Sequence, residues 1–257
     1  MALFKEERQT YSGPSTQTVN LGKVFGVMFL GILLTALISI GWAYFLSTRF
    51  LTYDNNTGLI DISENIFPVI IPVSIVAFIA MMISSAIVNY RGIRSDRPTG
   101  ILIPFIVYGV SVGLLLGLLV MLCDPMALVV SLGVTVLIYG LLALIGILSK
   151  GNMNGLAFVA SALFIGCFLL ALINLLLIPL LSLEAYSTFF WIITFGIFAA
   201  ILLTTIWDVW QINKMISGAP VGLNLTLYCA FRLYTDFIAI FVRVLYFVLL
   251  VFGKSRR

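Results

Sequence analysis

Seven apolar stretches, each long enough to cross the hydrocarbon core of a bilayer, dominate this sequence. Such a crossing requires about 20 consecutive apolar residues in a helix. The stretches run approximately over residues 24–46, 67–88, 101–122, 126–148, 156–180, 186–207 and 223–252. Every backbone N–H and C=O inside a bilayer must be paired within the chain, and these runs are too long and too uniformly apolar for barrel strands. The sequence therefore predicts an all-α polytopic membrane protein, a bundle of seven transmembrane helices.

The composition supports this assignment and divides the chain. Hydrophobic residues make up 62% of the chain and charged residues 9%, whereas a soluble domain has about 25% charged residues. Residues 1–23 are polar, too few for a core of their own, and lack the apolar centre of a signal peptide. We predict a cytoplasmic tail over residues 1–23, a transmembrane domain over 24–253 and a basic C-terminal tail over 254–257.

The basic residues ahead of the C-terminal tail lie almost entirely on one side of the predicted bundle. Lysine and arginine are enriched in cytoplasmic segments, so this asymmetry predicts a cytoplasmic N-terminus. The outer segments then hold Arg49 beside the acidic residues Asp54, Asp61, Glu64, Asp124 and Glu184. The inner segments hold Lys5, Arg8, Lys23, Arg91, Arg94, Arg97, Lys150 and Lys214.

The C-terminal tail conflicts with this charge rule. Seven complete crossings place Lys254, Arg256 and Arg257 on the outer side. A last helix that re-enters the membrane would relax the conflict, and so would a last helix that is wrapped by the others. The sequence alone leaves both alternatives open.

The residues that most often carry catalysis or bind metals are scarce. Histidine is absent, so a Ser-His-Asp triad cannot be built and the commonest transition-metal ligand is missing. Cys123, Cys167 and Cys229 have neither metal-binding nor disulfide spacing, which favours small buried apolar residues. The net charge of +4 comes from residues that flank the apolar stretches and not from an aromatic-rich basic patch. We expect no enzyme, no cofactor and no nucleic-acid partner.

Two acidic residues are the strongest functional signal. Asp236 lies in the middle of the last apolar stretch, where a carboxylate costs roughly 2.5–3.5 kcal/mol on insertion scales, and Asp208 follows the end of the preceding stretch. Burial favours a protonated carboxyl, and two neighbouring carboxyls that share a proton titrate as a coupled unit. Simpler interpretations stay open: an interfacial charge for Asp208, and for Asp236 a structural ion pair with Arg232, one helical turn earlier.

Three glycines at a spacing of four, Gly109, Gly113 and Gly117, mark the third stretch. Small residues at this spacing lie on one helix face and allow two helix backbones to approach closely. We interpret this face as a packing surface inside the bundle.

Two segments carry a resemblance to a known family of membrane proteins. Ala230–Phe241, with the sequence AFRLYTDFIAIF, resembles the Leu-Tyr-Leu-Asp-Phe-Ile-Asn signature of the Bax inhibitor family. Trp207–Ile212, with the sequence WDVWQI, is similar to the family's Tyr-Asp-x-x-x-Ile segment. Weaker similarities to bacterial-type members extend back to Val24 and include Val24–Met28, Gly31, Leu34–Ala36, Ser149-Lys150 and Asn174-Leu175.

The resemblance implies a central seventh helix surrounded by the other six, a pH-sensitive calcium leak and protection against cell stress. The implied pH-sensing and gating residues are Asp208 and Asp236, which would also line the calcium path as its metal-binding groups. Joined by a shared proton they hold the path shut, and when they separate one of them meets an arginine from the second helix. Arg91 is the best positional match for that arginine, and Arg94 is the next.

Four positions differ from the family pattern. Ala239 replaces the usual asparagine three residues after Asp236, and Arg232 stands where a small or neutral polar residue is usual. Tyr246 occupies a position that is often arginine, and Asn152 one that is commonly acidic. These differences bear on the pH range of the leak more than on the fold, with Arg232 as the modulating ion-pair residue.

The leading hypothesis is therefore a pH-regulated calcium leak gated by Asp208 and Asp236, with the lipid bilayer, calcium and protons as partners, since oxygen ligands suit calcium. The alternative is a regulatory protein that binds a membrane protease or another membrane partner through its N-terminal tail and the basic segment 91–97. A secondary transporter is weakened by the lack of paired broken helices. An aspartyl protease is weakened by the lack of a Gly-x-Gly-Asp motif.

Overall fold

The computed structural model describes residues 21–53, 60–62, 66–92, 98–177, 183–217 and 222–255. The seven helices in this part of the chain are long and apolar enough to span a membrane, which confirms the predicted all-α transmembrane bundle. They are α1 Leu21–Phe50, α2 Phe67–Arg91, α3 Thr99–Leu122, α4 Pro125–Leu148, α5 Asn154–Leu177, α6 Leu183–Ser217 and α7 Leu223–Ser255. Two short strands between α1 and α2, β1 Leu51–Tyr53 and β2 Ile60–Ile62, pair antiparallel. This hairpin was not expected and leaves the fold class unchanged.

The sixth helix extends well beyond its apolar stretch. It was expected to end at Trp207, but α6 continues through Lys214 to Ser217. A local drop in hydropathy does not end a helix, which ends near a breaker, here Pro220. Asp208 therefore lies inside α6, and the membrane-length span of this helix continues past it to Ile216.

The last helix lies at the centre of the bundle. It packs mainly against α1, α4 and α6 and, over a shorter stretch, against α3, while α2 packs on α3 and α5 on α6. Leu233, Tyr234 and Ile240 of α7 are fully buried, whereas the peripheral helices turn large apolar side chains outward. The central position implied by the resemblance is thus observed, with four helices as the main direct neighbours of α7.

The glycines of α3 form its contact with α1, as the packing interpretation predicted. A Cβ atom added at Gly113 would lie 2.8 Å from the Cβ of Ile38, and one at Gly117 would lie 2.9 Å from the carbonyl oxygen of Ser39. Neither distance is compatible with an ordinary side chain, so the two helix backbones approach closely only because these residues are glycine.

The remaining expectations concern the course of the last helix and the segments outside the described residues. Helix α7 is continuous from Leu223 to Ser255, which agrees with a wrapped last helix and offers nothing in favour of re-entry. Residues 1–20, 93–97 and 256–257 lie outside the described residues. The tail boundaries, the positions of Arg94 and Arg97, and the partner-binding surfaces of the alternative hypothesis therefore stay predictions.

Candidate functional site

The two acidic residues face each other across the contact between α6 and α7. These helices are antiparallel neighbours whose register is fixed at one end by the stacked rings of Phe195 and Phe247, with centroids 5.3 Å apart. Asp236 lies midway along the membrane span Leu223–Leu250 of α7, and Asp208 lies eight residues before the end of the α6 span at Ile216. Eight residues of helix correspond to about 12 Å, so both acids lie at the depth of the bilayer interior.

Few other charged side chains are available at this depth. Helices α3, α4 and α5 contain no Asp, Glu, Lys or Arg, and the basic residues of α1 and α2 lie at helix ends. On α7, Arg232 lies one turn before Asp236, and Arg243 lies two turns after it. Because buried charges must be compensated, Asp208, Arg232 and Asp236 have to balance one another.

Arg232 is held by three side chains of one turn of α6. Its Nη2 atom lies 2.6 Å from Oδ1 of Asp208, in an ion pair rather than a well-aligned hydrogen bond. Its Nη1 atom donates a hydrogen bond to Oε1 of Gln211 at 3.0 Å, and its guanidinium carbon lies 4.9 Å from the centre of the Trp207 ring. The side chain of Asp208 is only 4% exposed and that of Arg232 22%, so the pair is largely shielded from solvent and lipid.

The carboxyl groups of Asp208 and Asp236 lie within hydrogen-bonding reach of each other. The Oδ2 atom of Asp236 is enclosed by protein and receives no hydrogen bond from the described residues. Two carboxylates offer only acceptors, so their contact becomes a hydrogen bond when one of them carries a proton. With that proton, Asp208, Asp236 and Arg232 together are electrically neutral.

Helix α4 closes the site with Tyr139. Its hydroxyl lies 3.4 Å from the carbonyl oxygen of Leu233, and its ring packs edge-on against Phe237 with centroids 5.5 Å apart. The hydroxyl is near enough to interact electrostatically with both aspartates. Tyr139 thus supports the turn of α7 that carries Asp236 and supplies the polar group of α4 nearest to the carboxyl pair.

A hydroxyl contact on the opposite side fixes the same part of α7. The hydroxyl oxygens of Tyr234 and Thr35 are 2.5 Å apart, and Oγ1 of Thr35 lies 3.0 Å from the carbonyl oxygen of Gly31 and 3.2 Å from that of Gly109. A threonine hydroxyl has one proton, which goes to one of the carbonyls, so Tyr234 donates to Thr35. Thr35 thus connects helices α1, α3 and α7 at Tyr234, two residues before Asp236.

The structure brings together three of the four predicted site residues. Asp208, Asp236 and Arg232 form one cluster, in which the ion pair of Arg232 is with Asp208 and not with Asp236, the partner in the structural ion-pair interpretation. The long arginine side chain crosses to α6, where three contacts are available, rather than folding back along its own helix. Arg91 is exposed at the last residue of α2 and, within the described part of the chain, forms no ion pair with either aspartate.

Sequence reasoning did not assign roles to Gln211, Trp207 and Tyr139. Gln211 follows Asp208 by three positions and Trp207 immediately precedes it. Arg232 contacts the side chains of Asp208, Gln211 and Trp207. Tyr139 is a polar-tipped aromatic residue in the middle of an otherwise apolar helix, and such residues usually find a hydrogen-bond partner when buried. These were usable signals, although none of them says which helix lies opposite.

Protein surrounds most of the carboxyl pair, since Asp208 is buried and Asp236 is half-buried. Among the described residues, no three His, Cys, Asp or Glu side chains come together in an arrangement that could hold a metal ion. Beyond Asp236, an apolar cavity of about 200 Å³ lies between α1, α4 and α7 and is lined in part by Phe237 and Phe241. The two aspartates are candidates for a gate or a transient cation contact.

Comparison with known proteins gives a match over most of the chain. A model of the family described as inhibitor of apoptosis-promoting Bax1 matches residues 17–257, which include all seven helices and the whole carboxyl cluster. A search of curated proteins finds no match to the chain.

Proposed function

The chain belongs to the Bax inhibitor family, and from this premise we propose that it is a pH-regulated calcium leak whose gate is the pair Asp208 and Asp236. That it is an integral membrane protein follows from its seven membrane-length helices. The observation that carries the proposal is the contact between the carboxyl of buried Asp208 and that of half-buried Asp236, at the depth of the bilayer interior and with one guanidinium beside them.

The number of protons bound to Asp208 and Asp236 controls the proposed gate. With one proton on the pair, the two carboxyls and the guanidinium of Arg232 are neutral, and a carboxyl–carboxyl hydrogen bond joins α6 to α7. Loss of that proton leaves a net negative charge in a low-dielectric interior, which is strongly unfavourable unless water or a cation enters or the helices move apart. A change in pH therefore changes how firmly α6 and α7 are joined.

Calcium is the proposed permeant ion because of the chemistry of the available ligands. Calcium prefers carboxylate and carbonyl oxygens, and Asp208, Asp236 and the side-chain oxygen of Gln211 supply such groups within one cluster. The site contains no nitrogen or sulfur ligand that would favour a transition metal over calcium among the contacts described above.

We further propose that the N-terminus faces the cytoplasm of a bacterial cell. The helix order places Lys23, Arg91, Lys150 and Lys214 at one face of the bundle. Arg49 and the acidic Asp124 lie at the other face. The more basic face is the cytoplasmic one in most membrane proteins, which supports this orientation.

Asp236→Asn tests the proposal in proteoliposomes loaded with a calcium indicator. The asparagine amide cannot ionise or share a proton, so calcium flux should change and the ratio of the fluxes measured at pH 6 and pH 8 should fall toward one. Flux and pH ratio both equal to those of the wild type would contradict the proposed gate.

A matched control makes the same chemical change outside the membrane interior. Asp124 caps α4 by accepting a hydrogen bond from the backbone N–H of Met126 at 3.0 Å. Asparagine caps helices about as well as aspartate, so Asp124→Asn should leave both the flux and its dependence on pH as in the wild type.

A further inference from the structure

We propose that the positively charged side chain of Arg232 occupies the oxygen ligands of α6. Any permeating cation then has to displace this side chain. In this chain Arg232 thereby makes, from within α7, a contact with one of the two aspartates that the family resemblance gives to an arginine of the second helix. The statement about permeation rests on the proposed calcium leak, whereas the occupancy of the site can be measured without any flux.

The contacts of Arg232 fix both its position and its charge. One guanidinium nitrogen faces Asp208 and another faces Gln211, while the guanidinium carbon lies over the Trp207 ring. A guanidinium keeps its charge at all physiological pH values, and its rigid fork suits two oxygen acceptors at once. Arg232 is therefore a permanent occupant that a change in pH does not neutralise.

The oxygens that hold Arg232 are also suitable ligands for a divalent cation. Oδ1 of Asp208 and Oε1 of Gln211 face the guanidinium, and the enclosed Oδ2 of Asp236 has no donor among the described residues. Calcium binds such carboxylate and amide oxygens. A calcium ion and the Arg232 guanidinium consequently compete for the same negative charge.

Among the described residues discussed here, no other basic side chain is placed to occupy these oxygen ligands. Lys214 lies six residues beyond Asp208 on α6, with its ammonium group 5.0 Å from the centre of the Trp210 ring. Arg243 lies two turns from Asp236, and Arg91 is exposed at the end of α2. Of these four basic side chains, Arg232 is the one in an ion pair with a carboxylate of the cluster.

The remaining titratable groups around the cluster are neutral near pH 7. Helix α4 contributes Tyr139, α3 contributes Tyr108 through its ring contact with Tyr234, and α7 itself contributes Tyr234 and Cys229. Thr35 is the polar residue of α1 that contacts this part of α7, and the described part of α5 adds no charged residue. A change in the charge of the cluster on mutation is therefore a change at Arg232 or at the two aspartates.

Calcium-dependent thermal unfolding of the detergent-purified full chain tests the inference, with CaCl2 as the probe at constant ionic strength and pH 7.5. Binding to the folded state raises the unfolding temperature. Because removing a positive charge from beside the ligands favours calcium, Arg232→Gln should lower the half-saturating calcium concentration at least about tenfold. Arg49→Gln is the matched control, because it removes the same charge from an exposed position at the end of α1, and it should behave as the wild type.

Arg232→Lys keeps the test decisive if Arg232→Gln does not fold. Lysine retains the charge but loses the fork and the stacking, so its half-saturating concentration should fall between those of the wild type and Arg232→Gln. No shift with either replacement, or an equal shift with Arg49→Gln, would overturn the inference.

Flux measurements separate this inference from the proposed function. In proteoliposomes, Arg232→Gln should move the midpoint of the pH dependence of the leak upward by about 1 pH unit or more, because the guanidinium favours ionised carboxylates. If wild-type vesicles leak no faster than protein-free ones, the proposed leak fails and the calcium-binding series still decides the role of Arg232. If they leak and the binding series is flat, only the inference about Arg232 fails.

Discussion

The contact between α1 and α3 and the contact between α6 and α7 hold the same bundle together by different physical means. Three glycines of α3 bring its backbone against α1, with distances too short for any added side chain at Gly113 or Gly117. Between α6 and α7, charged and polar side chains meet in the interior: Asp208, Gln211, Arg232 and Asp236.

The difference lies in what each contact tolerates. The α1–α3 contact depends on shape. Losing a single polar interaction should therefore destabilise it little, whereas adding a side-chain atom at a glycine should destabilise it more. The α6–α7 contact depends on charge balance, so it should accept changes in shape more readily than the loss of one charge. The α1–α3 contact on one side of α7 is rigid, and the α6–α7 contact on the other side depends on charge. This arrangement suits a bundle in which only the α6–α7 contact responds to protons.

The largest expected effect is the loss of a charge from the α6–α7 contact. Asp208→Asn leaves the largely buried guanidinium of Arg232 without its anion, and removing one partner of a buried ion pair costs about 3–5 kcal/mol. Chemical unfolding in detergent, compared with the wild type, measures this loss of stability.

The double variant Asp208→Asn/Arg232→Gln is the control for that measurement. It removes both charges, so no uncompensated charge remains and much of the stability should return. A double variant as unstable as Asp208→Asn alone would mean that shape, and not charge balance, holds these two helices together.

An added methyl group should damage the α1–α3 contact. In Gly113→Ala, the new Cβ would lie 2.8 Å from Cβ of Ile38 and 3.0 Å from the carbonyl oxygen of Thr35. Overpacking of this kind costs about 1–3 kcal/mol, measured in the same unfolding assay. Gly133→Ala on α4 is the matched control, because a Cβ there has no atom within 4 Å, and alanine should be neutral or slightly stabilising in a helix. Equal effects of the two substitutions would remove the distinction between the contacts.

The comparison also shows which features the sequence can predict. The seven helices and the glycine face of α3 follow from local patterns: long apolar runs, and small residues spaced by four. Asp208 and Asp236 were recognisable because a carboxylate in an apolar span is costly. Each of these signals lies within a single helix.

The partner of Arg232 could not be predicted in this way. A spacing of four on one helix favours a pair with Asp236, whereas the observed partner, Asp208, lies on another helix. Which side chain of α6 faces Arg232 depends on the rotation and register of two helices, and these are set by packing along their whole length. The end of α6 was misplaced for a related reason, since polar residues such as Asp208 lower the local hydropathy without ending the helix or its membrane span.

The smallest expected effect concerns the hydroxyl contact that links the two sides of α7. Thr35→Val keeps the shape of the side chain but removes the acceptor of the Tyr234 hydroxyl, so it should cost about 1 kcal/mol in the unfolding assay. Adding Tyr234→Phe should cost little more, because the hydroxyl left without a partner is then removed as well. If the two substitutions instead destabilise additively, the hydroxyls act independently. Thr35 would then not be the residue that anchors the carboxyl-bearing turn of α7 to the rigid α1–α3 contact.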